Sequence, residues 1–405
     1  MRPIDSVVVV GGSLAGLRAA QTLRRESYTG RLVIVGAERH WPPYDRPPLS
    51  KQVLTGAWDA ERARLRVEDS LDVELLLGCR AVALDLAAGA VALADGTTVA
   101  FDGLVIATGA APRTLRATEG MAGVHVLRTV EDCIALSADL RSARRVVVVG
   151  AGFIGCEVAA SCRTLGIDVA LVEALERPLV RVLGAEMGAF AANLHRTNGV
   201  ELHLGVGVEG ISGDGSVEQV ILSDGTQLAA DVVVVGIGVA PSTGWLDGSG
   251  LLIDDGVVCD ASCVAVGSEG RVVAAGDVAR WTNPLFDQSM RVEHWTNAGE
   301  QGAHAARALI HGAAVAGEFA PVPYFWSDQH GTKLQFLGTC RPGDEVAVVE
   351  GSVEEAKFVA AYGRDGVTVG ALCVGWPART VPHRAAIERR AAFPPSLDDP
   401  LPARS

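Results

Sequence analysis

Short apolar runs rich in β-branched residues recur along the chain, and two of them lead directly into glycine-rich loops. Residues 7–10 are all valine and precede Gly11, and residues 146–149 are all valine and precede Gly150. Four consecutive valines are typical of a buried parallel strand, whereas the mixed pattern after each loop is typical of an amphipathic helix. The sequence therefore predicts the same strand–loop–helix unit twice.

Each copy of this unit is followed by further predicted strands. A second apolar run lies at 32–35 in the first copy and at 169–172 in the second. A later run ends in glycine in both copies, at 104–109 and 232–238, and a similar run at 272–277 follows. Strands that alternate with helices in this way predict a parallel sheet in each copy.

The pattern changes at Pro321, after which short alternating runs favour an antiparallel sheet, followed by a short basic helix at about 382–392 and a proline-rich tail. We predict an α/β fold with two Rossmann-like dinucleotide-binding domains, the second inserted in the first, and a C-terminal α+β interface domain. The predicted boundaries are 1–113 with 241–320 for the first domain, 114–240 for the second and 321–405 for the third.

The two loops have the glycine spacing of a dinucleotide-binding fingerprint, which places backbone N–H groups and a helix N-terminus against a pyrophosphate. Ser13 departs from the pattern in the first loop, and we interpret it as a tolerated small residue that adds a hydroxyl donor. The alternative is a degenerate first loop without a ligand. The loop residues predicted to contact dinucleotides are Gly11, Gly12, Ser13, Leu14, Ala15, Gly16, Gly150, Gly152, Phe153, Ile154 and Gly155.

An acidic residue follows each loop at the spacing expected of a ribose-binding carboxylate. Glu38 and Glu173 both come after the second predicted strand of their copy, roughly twenty residues beyond the loop. The alternative for each is a solvated residue at a strand end. A carboxylate at Glu173 would repel a 2′-phosphate, which favours NADH over NADPH, although Arg177 lies near enough to accommodate that phosphate.

Composition and charge narrow the class of protein. The 405 residues are 49% hydrophobic, which is enough for several buried cores, and the net charge of −13 argues against a nucleic-acid partner. The sequence has no apolar stretch of membrane-spanning length, and its first predicted strand begins so early that we expect no signal peptide. The eight cysteines form no C-x-x-C pair and no metal-ligand pattern, so we expect buried, reduced thiols, no metal and a cytoplasmic location.

Several segments resemble the FAD-dependent two-dinucleotide flavoprotein family, and specifically its NADH-dependent ferredoxin reductases of the putidaredoxin reductase and rhodocoxin reductase type. The residues that carry this resemblance are the two loops and the segments 43–51, 107–110, 275–277, 293–298 and 325–329. The first and last of these segments are specific to the reductases. The resemblance implies non-covalent FAD in the first predicted domain and NADH in the second.

The resemblance also implies roles for individual residues. A lysine matching Lys51 lies beside the flavin ring, where a positive charge near N5 would stabilise the reduced form. Asp277 matches an acid that binds the ribityl hydroxyls, although it is also a candidate helix N-cap. Lys51, Glu157 and Trp326 are the candidate catalytic residues, with Trp326 flanking the flavin or serving as an ordinary core aromatic. The remaining predicted cofactor contacts are Arg46, Val82, Thr108, Gly109, Arg128, Gly238, Gly276, His294 and Trp295.

Related disulfide reductases and peroxidases carry cysteine near residues 40–55, and this chain has none there. We therefore expect the flavin to pass its electrons outward, one at a time, to a [2Fe–2S] ferredoxin that serves a cytochrome P450 or a ring-hydroxylating dioxygenase. Two alternatives stay open: an NADH-dependent reductase of a small organic acceptor or rubredoxin, and a non-enzymatic NADH-sensing protein.

An acidic ferredoxin needs a local basic surface on a reductase that is acidic overall. The best candidate is the C-terminal segment that contains Arg379, His383, Arg384, Arg389 and Arg390, of which Arg384, Arg389 and Arg390 are the predicted docking residues. The alternative is a solvated helix whose arginines pair with neighbouring acids such as Glu388.

Overall fold

A computed structural model describes residues 4–68, 70–115 and 120–396. Most of the predicted proline-rich tail and the first three residues lie outside the described residues. The described helices are α1 Leu14–Arg25, α2 Val130–Leu140, α3 Phe153–Thr164, α4 Val180–Thr197, α5 Trp295–His311, α6 Ala313–Ala316 and α7 Thr380–Glu388. Short 3₁₀ turns add Pro47–Ser50, Ala60–Ala63, Gly244–Leu246 and Pro377–Arg379.

The strands follow in chain order, in two groups. The first group is β1 Ser6–Val10, β2 Arg31–Gly36, β3 Glu74–Leu77, β4 Ala81–Asp85, β5 Ala90–Leu93, β6 Thr98–Ala100, β7 Gly103–Ile106, β8 Ala110–Pro112, β9 Val124–His125, β10 Arg145–Val149, β11 Asp168–Glu173, β12 Val200–Leu204 and β13 Val208–Ser212. The second is β14 Gln219–Leu222, β15 Gln227–Ala229, β16 Val232–Val235, β17 Val239–Pro241, β18 Val257–Cys259, β19 Val272–Ala274, β20 Ala279–Asn283, β21 Gln288–Arg291, β22 Tyr324–Gln329, β23 Thr332–Gly338, β24 Glu345–Ser352, β25 Lys357–Arg364 and β26 Val367–Val374.

The duplication predicted from the sequence is present as two five-stranded parallel sheets. Their strand orders are β19–β7–β1–β2–β3 and β12–β11–β10–β16–β9. The central strands pair in the same register, since Val10 lies opposite Val35 and Ile106 just as Val149 lies opposite Val172 and Val235. Burial on both faces explains why these strands are continuous valine runs rather than alternating ones.

Three-stranded antiparallel sheets accompany the parallel ones, formed by β4, β5 and β6 and by β13, β14 and β15. The C-terminal segment forms the predicted antiparallel sheet, in the order β22–β23–β26–β25–β24. The predicted fold class is therefore confirmed. The basic helix α7 is shorter than the predicted 382–392, because the chain turns at Arg390, whose φ is +53°. Pro382 lies in its first turn, where a missing N–H costs no helical hydrogen bond.

The chain divides into two compact units. The first unit comprises Met1–Asp45, Arg64–Ala111 and Ala240–Pro323, and the second comprises Arg46–Ala63, Pro112–Val239 and Tyr324–Ser405. The chain passes from one unit to the other near 111, 239 and 323, and the second unit holds the short segment 46–63, the second parallel sheet and the C-terminal sheet. The predicted boundaries of three domains stay a prediction.

The first unit has a continuous core in which Val7, Ile34 and Val105 are fully buried, and in the second unit Val147 and Val233 play the same part. Such cores contribute most of the favourable free energy of folding. Within the described ranges, no helix combines the length and the apolar character needed to cross a membrane.

Candidate functional site

The first glycine loop is shaped by two backbone contacts that only glycine permits. Gly11 has a φ of +125°, and a Cβ there would lie 2.0 Å from the carbonyl oxygen of Ala107. A Cβ on Gly16 would lie 1.9 Å from the carbonyl oxygen of Gly11. These two glycines therefore hold β1 against the start of α1, which brings the helix N-terminus to the edge of the sheet.

The second loop repeats this construction. Gly150 has a φ of +99° and its Cβ would lie 2.3 Å from the carbonyl oxygen of Gly236, while a Cβ on Gly155 would lie 1.9 Å from the carbonyl oxygen of Gly150. Gly152 differs, because among the described residues, its own chain neighbours aside, no atom lies within 4 Å of where its Cβ would be. The fold leaves that position open, which is the space that a pyrophosphate needs to approach the backbone.

The helices that follow the loops leave their N-terminal N–H groups uncapped by the N-cap side chain. Neither Ser13 nor Gly152 makes a side-chain cap, and the first turns of α1 and α3, all of whose residues are described, contain no acidic side chain. In contrast, α2 has a complete capping box made by Thr129 and Asp132. The two loop helices thus present their positive ends to an anion, whereas α2 neutralises its own.

Ser13 fits the first loop without backbone strain. Its φ of −100° and ψ of −161° nearly match those of Gly152, at −76° and −174°. Both conformations are extended ones that any residue adopts. The interpretation of Ser13 as a tolerated residue is therefore compatible with the backbone, and the loop residues present fit a bound pyrophosphate in both units.

The two candidate ribose acids lie at different positions relative to their strands. Glu173 is the last residue of β11, and its carboxylate accepts hydrogen bonds from the backbone N–H groups of Ala151 at 2.7 Å and Leu175 at 2.9 Å. Gly36 occupies the matching strand end of the first unit, and Glu38 follows two residues later, where it accepts a hydrogen bond from the hydroxyl of Tyr44. Each acid is thus fixed beside its loop by a different local contact.

The end of β19 and the start of α5 gather several predicted residues of the first unit. Gly276 has a φ of +78°, its N–H donates to Gln301 Oε1 at 2.9 Å, and a Cβ there would lie 3.1 Å from Ala15 Cβ. Asp277 follows it and is 9% exposed. Gln301, which no sequence pattern indicated, is fully buried and fixes this turn.

Trp295 begins α5, and its indole N–H donates to Asp45 Oδ1 at 2.6 Å. Burial raises the pKa of Asp45, and the bond from Trp295 partly offsets this. Burial lowers the pKa of the adjacent His294 to about 4, so this imidazole is neutral near pH 7. Elsewhere in the first unit, Thr108 donates to the carbonyl of Ser242 at 2.9 Å, and Val82 is 47% exposed on β4.

In the second unit, Lys51 and Glu157 form a buried ion pair. Lys51 Nζ lies 2.7 Å from Glu157 Oε2, and the two side chains are 11% and 6% exposed. Ser50 donates its hydroxyl to the same carboxylate, while Ser161 donates to the carbonyl of Ser50 at 2.7 Å. Since Glu157 and Ser161 are one turn apart on α3, one face of that helix holds the segment that carries Lys51.

Arg46 and Arg128 come together at one groove of the second unit. The guanidinium of Arg46 donates to the carbonyl of Arg128, whose own N–H donates to Asp132 in the α2 capping box at 2.9 Å. The groove is lined by Arg46, Leu49, Ser50, Leu127, Arg128 and Ile154. It therefore combines two cations with a residue of the second glycine loop, which suits an anionic ligand with an apolar part.

Trp326 lies on β22, where its ring stacks against Tyr324 with centroids 6.1 Å apart. It is half-buried, whereas its neighbour Phe325 is buried and packs against the loop residue Phe153 at 4.3 Å. Alternation along the strand thus directs Phe325 to the interior and leaves part of Trp326 exposed. Gly238, with a φ of +95°, lies beyond β16 in the same unit and accepts from the N–H of Arg113.

The structure separates the C-terminal basic residues into two groups. Arg379 and His383 both contact Glu350, at 2.7 Å and 3.0 Å. Arg384 lies over the Tyr324 ring, 5.8 Å from its centroid, and Arg389 donates to the carbonyl of Ser396. The alternative to a docking role was that these arginines pair with nearby acids. Arg379 does form such a pair, but its partner is Glu350 rather than Glu388.

Comparison with known proteins places this arrangement in a family of oxidoreductases. Residues 5–302 match the model of the pyridine nucleotide-disulphide oxidoreductase family, and residues 324–400 match that of the reductase C-terminal domain. The chain therefore belongs to the pyridine nucleotide-disulphide oxidoreductase family. It is an oxidoreductase with a C-terminal reductase domain, as the sequence resemblance implied.

Individual relatives agree with this assignment. The chain is 39% identical to the ferredoxin–NAD(+) reductase component of the anthranilate 1,2-dioxygenase system of Burkholderia cepacia, over 91% of both proteins. It is 37% identical to rhodocoxin reductase of Rhodococcus erythropolis, over 87% of this chain and 82% of the relative. The fold resembles putidaredoxin reductase in its covalent complex with putidaredoxin, with a TM-score of 0.89, 32% identity, and 96% of this chain and 94% of the other covered.

Several residues that shape the site carried no functional prediction from the sequence. Ser50 and Ser327 both donate to Glu157, Asp45 holds Trp295, and Tyr44 holds Glu38. All four lie inside the segments that carry the family resemblance. Their roles depend on partners at least six positions away, and for three of the four more than a hundred, so no local pattern indicates them.

Proposed function

We propose that this protein is the reductase of an electron-transfer system: it takes a hydride from NADH onto FAD and passes the electrons singly to a [2Fe–2S] ferredoxin that serves a cytochrome P450 or a ring-hydroxylating dioxygenase. The observation that carries the proposal is the duplicated glycine loop, with an open cradle at Gly152, together with the buried Lys51–Glu157 pair. The relatives that are named as reductases of ferredoxin or rhodocoxin support the same function.

We assign FAD to the first unit and NADH to the second. The loop at Gly11, the acid Glu38, and the Gly276–Asp277 turn would hold the FAD dinucleotide and its ribityl chain. The loop at Gly150 and Glu173 would hold NADH. FAD supplies the conversion of a two-electron hydride into two one-electron transfers. For each NADH, two ferredoxins are reduced and one proton is released.

Lys51 is proposed to place its ammonium near N5 of the flavin, where Glu157 and Ser50 fix its position. The chain offers no thiol at this segment for disulfide chemistry. Cys133 does contact it, donating to the carbonyl of Leu49 at 3.2 Å, but burial raises the pKa of this thiol to about 11. Cys133 therefore stays protonated, which supports transfer to an external acceptor.

The function is tested by NADH-driven cytochrome c reduction with and without added [2Fe–2S] ferredoxins. We expect a yellow holoprotein whose cytochrome c reduction depends on the ferredoxin and saturates with its concentration. Direct, efficient reduction of a quinone, a small organic radical or rubredoxin, with no stimulation by any ferredoxin, would instead show a reductase of a different acceptor.

We propose a cytoplasmic location as well. All eight cysteines are free, and six of them are buried. Unpaired thiols are usual in a reducing compartment, and disulfides are usual outside it.

Glu173 is expected to set the preference for NADH. In Glu173→Ser the repulsion of a 2′-phosphate is lost, so the ratio of kcat/KM for NADH to that for NADPH should fall about tenfold to a hundredfold. Steady-state kinetics with both coenzymes measures the ratio. Glu176→Ser removes the same charge from an exposed position in the same loop and should leave the ratio unchanged. An unaltered ratio in Glu173→Ser would mean that another residue recognises the ribose.

Arg384, Arg389 and Arg390 are expected to attract the ferredoxin. Their joint replacement by alanine should raise KM for ferredoxin about tenfold at low salt and flatten its salt dependence, because rim charges act mainly on association. Ferricyanide reduction should stay at the wild-type rate, since a small oxidant needs no docking surface. A triple Arg141→Ala, Arg144→Ala, Arg196→Ala variant, at exposed positions, is the matched control. If both triple variants change KM for ferredoxin equally, the ferredoxin does not dock at Arg384, Arg389 and Arg390.

A further inference from the structure

A continuous line of hydrogen bonds runs from a surface hairpin to Glu157 within the second unit. His330 Nε2 lies 3.0 Å from His195 Nδ1, and His195 Nε2 lies 3.1 Å from Gln329 Oε1. Gln329 Nε2 lies 3.0 Å from Ser327 Oγ, which donates to Glu157 Oε1 at 2.8 Å. The line therefore ends on the carboxylate oxygen opposite the one that holds Lys51.

The chemistry of the last acceptor fixes the direction of every bond. An ionised carboxylate only accepts, so Ser327 must donate to Glu157 and accept from the amide N–H of Gln329. The amide oxygen then faces His195, whose Nε2 must carry the hydrogen. His195 Nδ1 is consequently an acceptor, and His330 donates to it through Nε2. All four donors point toward Glu157.

The elements hold this line rigidly and away from water. His195, Ser327 and Gln329 are each fully buried, and Glu157 is 5% exposed. His195 comes from the last turn of α4, whereas Ser327 and Gln329 share the inner face of β22. His330 and Gly331, with φ of +50° and +76°, form the two-residue turn to β23. Burying so many polar groups costs free energy unless each one is hydrogen-bonded. In this line each of the buried side chains has a hydrogen-bond partner.

The protonation states agree with this direction. Burial and, to a smaller extent, the adjacent His330 lower the pKa of His195 to about 4, while the bond with Gln329 opposes this shift. Burial and the nearby Arg163 on α3 also lower the pKa of His330. Both imidazoles are therefore neutral near pH 7, and the Nδ1 of His195 is free of a proton and able to accept.

We propose that His195 and Gln329 are positioning residues of the hydride-transfer centre, which through Ser327 stabilise the negative charge of Glu157 and so hold Lys51 at a fixed place. The inference rests on the proposed function for the location of Lys51 beside the flavin. Among the described residues, the titratable groups that interact with Glu157 are Lys51, through the ion pair, and its sequence neighbour Cys156, through charge alone. At the far end of the line they are His330 and Arg163.

The test uses the FAD-loaded enzyme and records the visible spectrum of its oxidised flavin, and its midpoint potential, from pH 5 to pH 9. In His195→Leu the N–H donor to Gln329 Oε1 is lost, so the line stabilises the negative charge of Glu157 less. The acid-side spectral transition should therefore move upward by up to about one pH unit, since the lost hydrogen bond is not made to the charge itself. Ser327→Ala should produce the same shift without altering the packing of α4.

His195→Gln is the rescue variant, because its amide N–H lies about where the imidazole Nε2–H lies, and its transition should match that of the wild type. Loss of stability alone would lower the thermal midpoint of His195→Leu without moving the spectral transition. Unshifted transitions in both His195→Leu and Ser327→Ala, in an enzyme whose spectrum does respond to Lys51→Met, would overturn the inference. An unresponsive spectrum in Lys51→Met would instead show that Lys51 lies away from the flavin, and the inference would fall with that assignment.

Discussion

Replacing Lys51 by methionine is expected to slow the reduction of bound FAD by NADH by about a hundredfold to a thousandfold, as for the loss of a preorganised electrostatic group. The ammonium would no longer stabilise the negative charge that arrives with the hydride. Stopped-flow measurement of the loss of flavin absorbance gives the rate directly. The FAD content should stay near one per chain, since the glycine loop and the Gly276–Asp277 turn are untouched.

Two controls separate this effect from damage to the fold. Lys51→Met leaves the buried Glu157 without its cation, so the double variant Lys51→Met, Glu157→Gln should recover much of the lost stability but not the rate. Lys333→Met removes another lysine of the second unit, which pairs with Asp328 at 2.8 Å and is 41% exposed. Its reduction rate should equal that of the wild type. If the FAD of Lys51→Met is reduced by NADH as fast as that of the wild type, Lys51 has only a structural role.

Substituting valine for Gly152 should raise KM for NADH by about a hundredfold or more, which corresponds to about 3 kcal/mol of binding free energy. The new side chain would fill the space left open beside the uncapped start of α3, where we propose that the pyrophosphate binds. The fold should tolerate the change, because the backbone angles there are extended and, in the described part of the chain, only the neighbours of Gly152 in sequence lie close to its Cβ position. Thermal midpoints should therefore agree within about 2–4 °C.

The contrast with neighbouring glycines makes this prediction specific. Gly210→Val, at another glycine with open space around its Cβ, should leave both KM and stability unchanged. Gly155→Ala should instead lower the thermal midpoint, because its Cβ would collide with the carbonyl oxygen of Gly150. An unchanged KM for NADH in Gly152→Val, measured with ferricyanide as acceptor, would contradict the assignment of this loop to the coenzyme.

The sequence predicted those features of the fold that depend on neighbours along the chain. Four valines before a glycine indicate a buried strand and a tight turn, and the structure places both valine runs at the centre of parallel sheets. The repeated spacing to an acidic residue singled out Glu38 and Glu173, whose ribose-binding roles stay predictions. In the structure the carboxylate of Glu173 accepts from the backbone of its own loop, and that of Glu38 accepts from Tyr44. The absence of cysteine from residues 41–51 is likewise plain from the sequence.

The ends of elements were less predictable. The basic helix α7 begins at Thr380 and ends at Glu388, earlier at both ends than the pattern suggested. Its C-terminus depends on the left-handed conformation of Arg390, which no composition rule favours for arginine. The partner of Arg379 was also hidden, because Glu350 lies on a strand almost thirty residues earlier.

What the sequence by itself determined is the type of protein: two glycine-rich loops, an acidic residue after each, and a lysine delivered by a proline-rich segment without a thiol. Only the tertiary structure decided which groups act on that lysine. Glu157 lies 106 positions away and Ser327 a further 170, and they meet through the packing of α3 against β22 and the segment 46–63. A local sequence pattern reflects only the backbone conformation that neighbouring residues favour. A buried line of hydrogen bonds depends on the whole fold, because every donor that folding removes from water needs an acceptor.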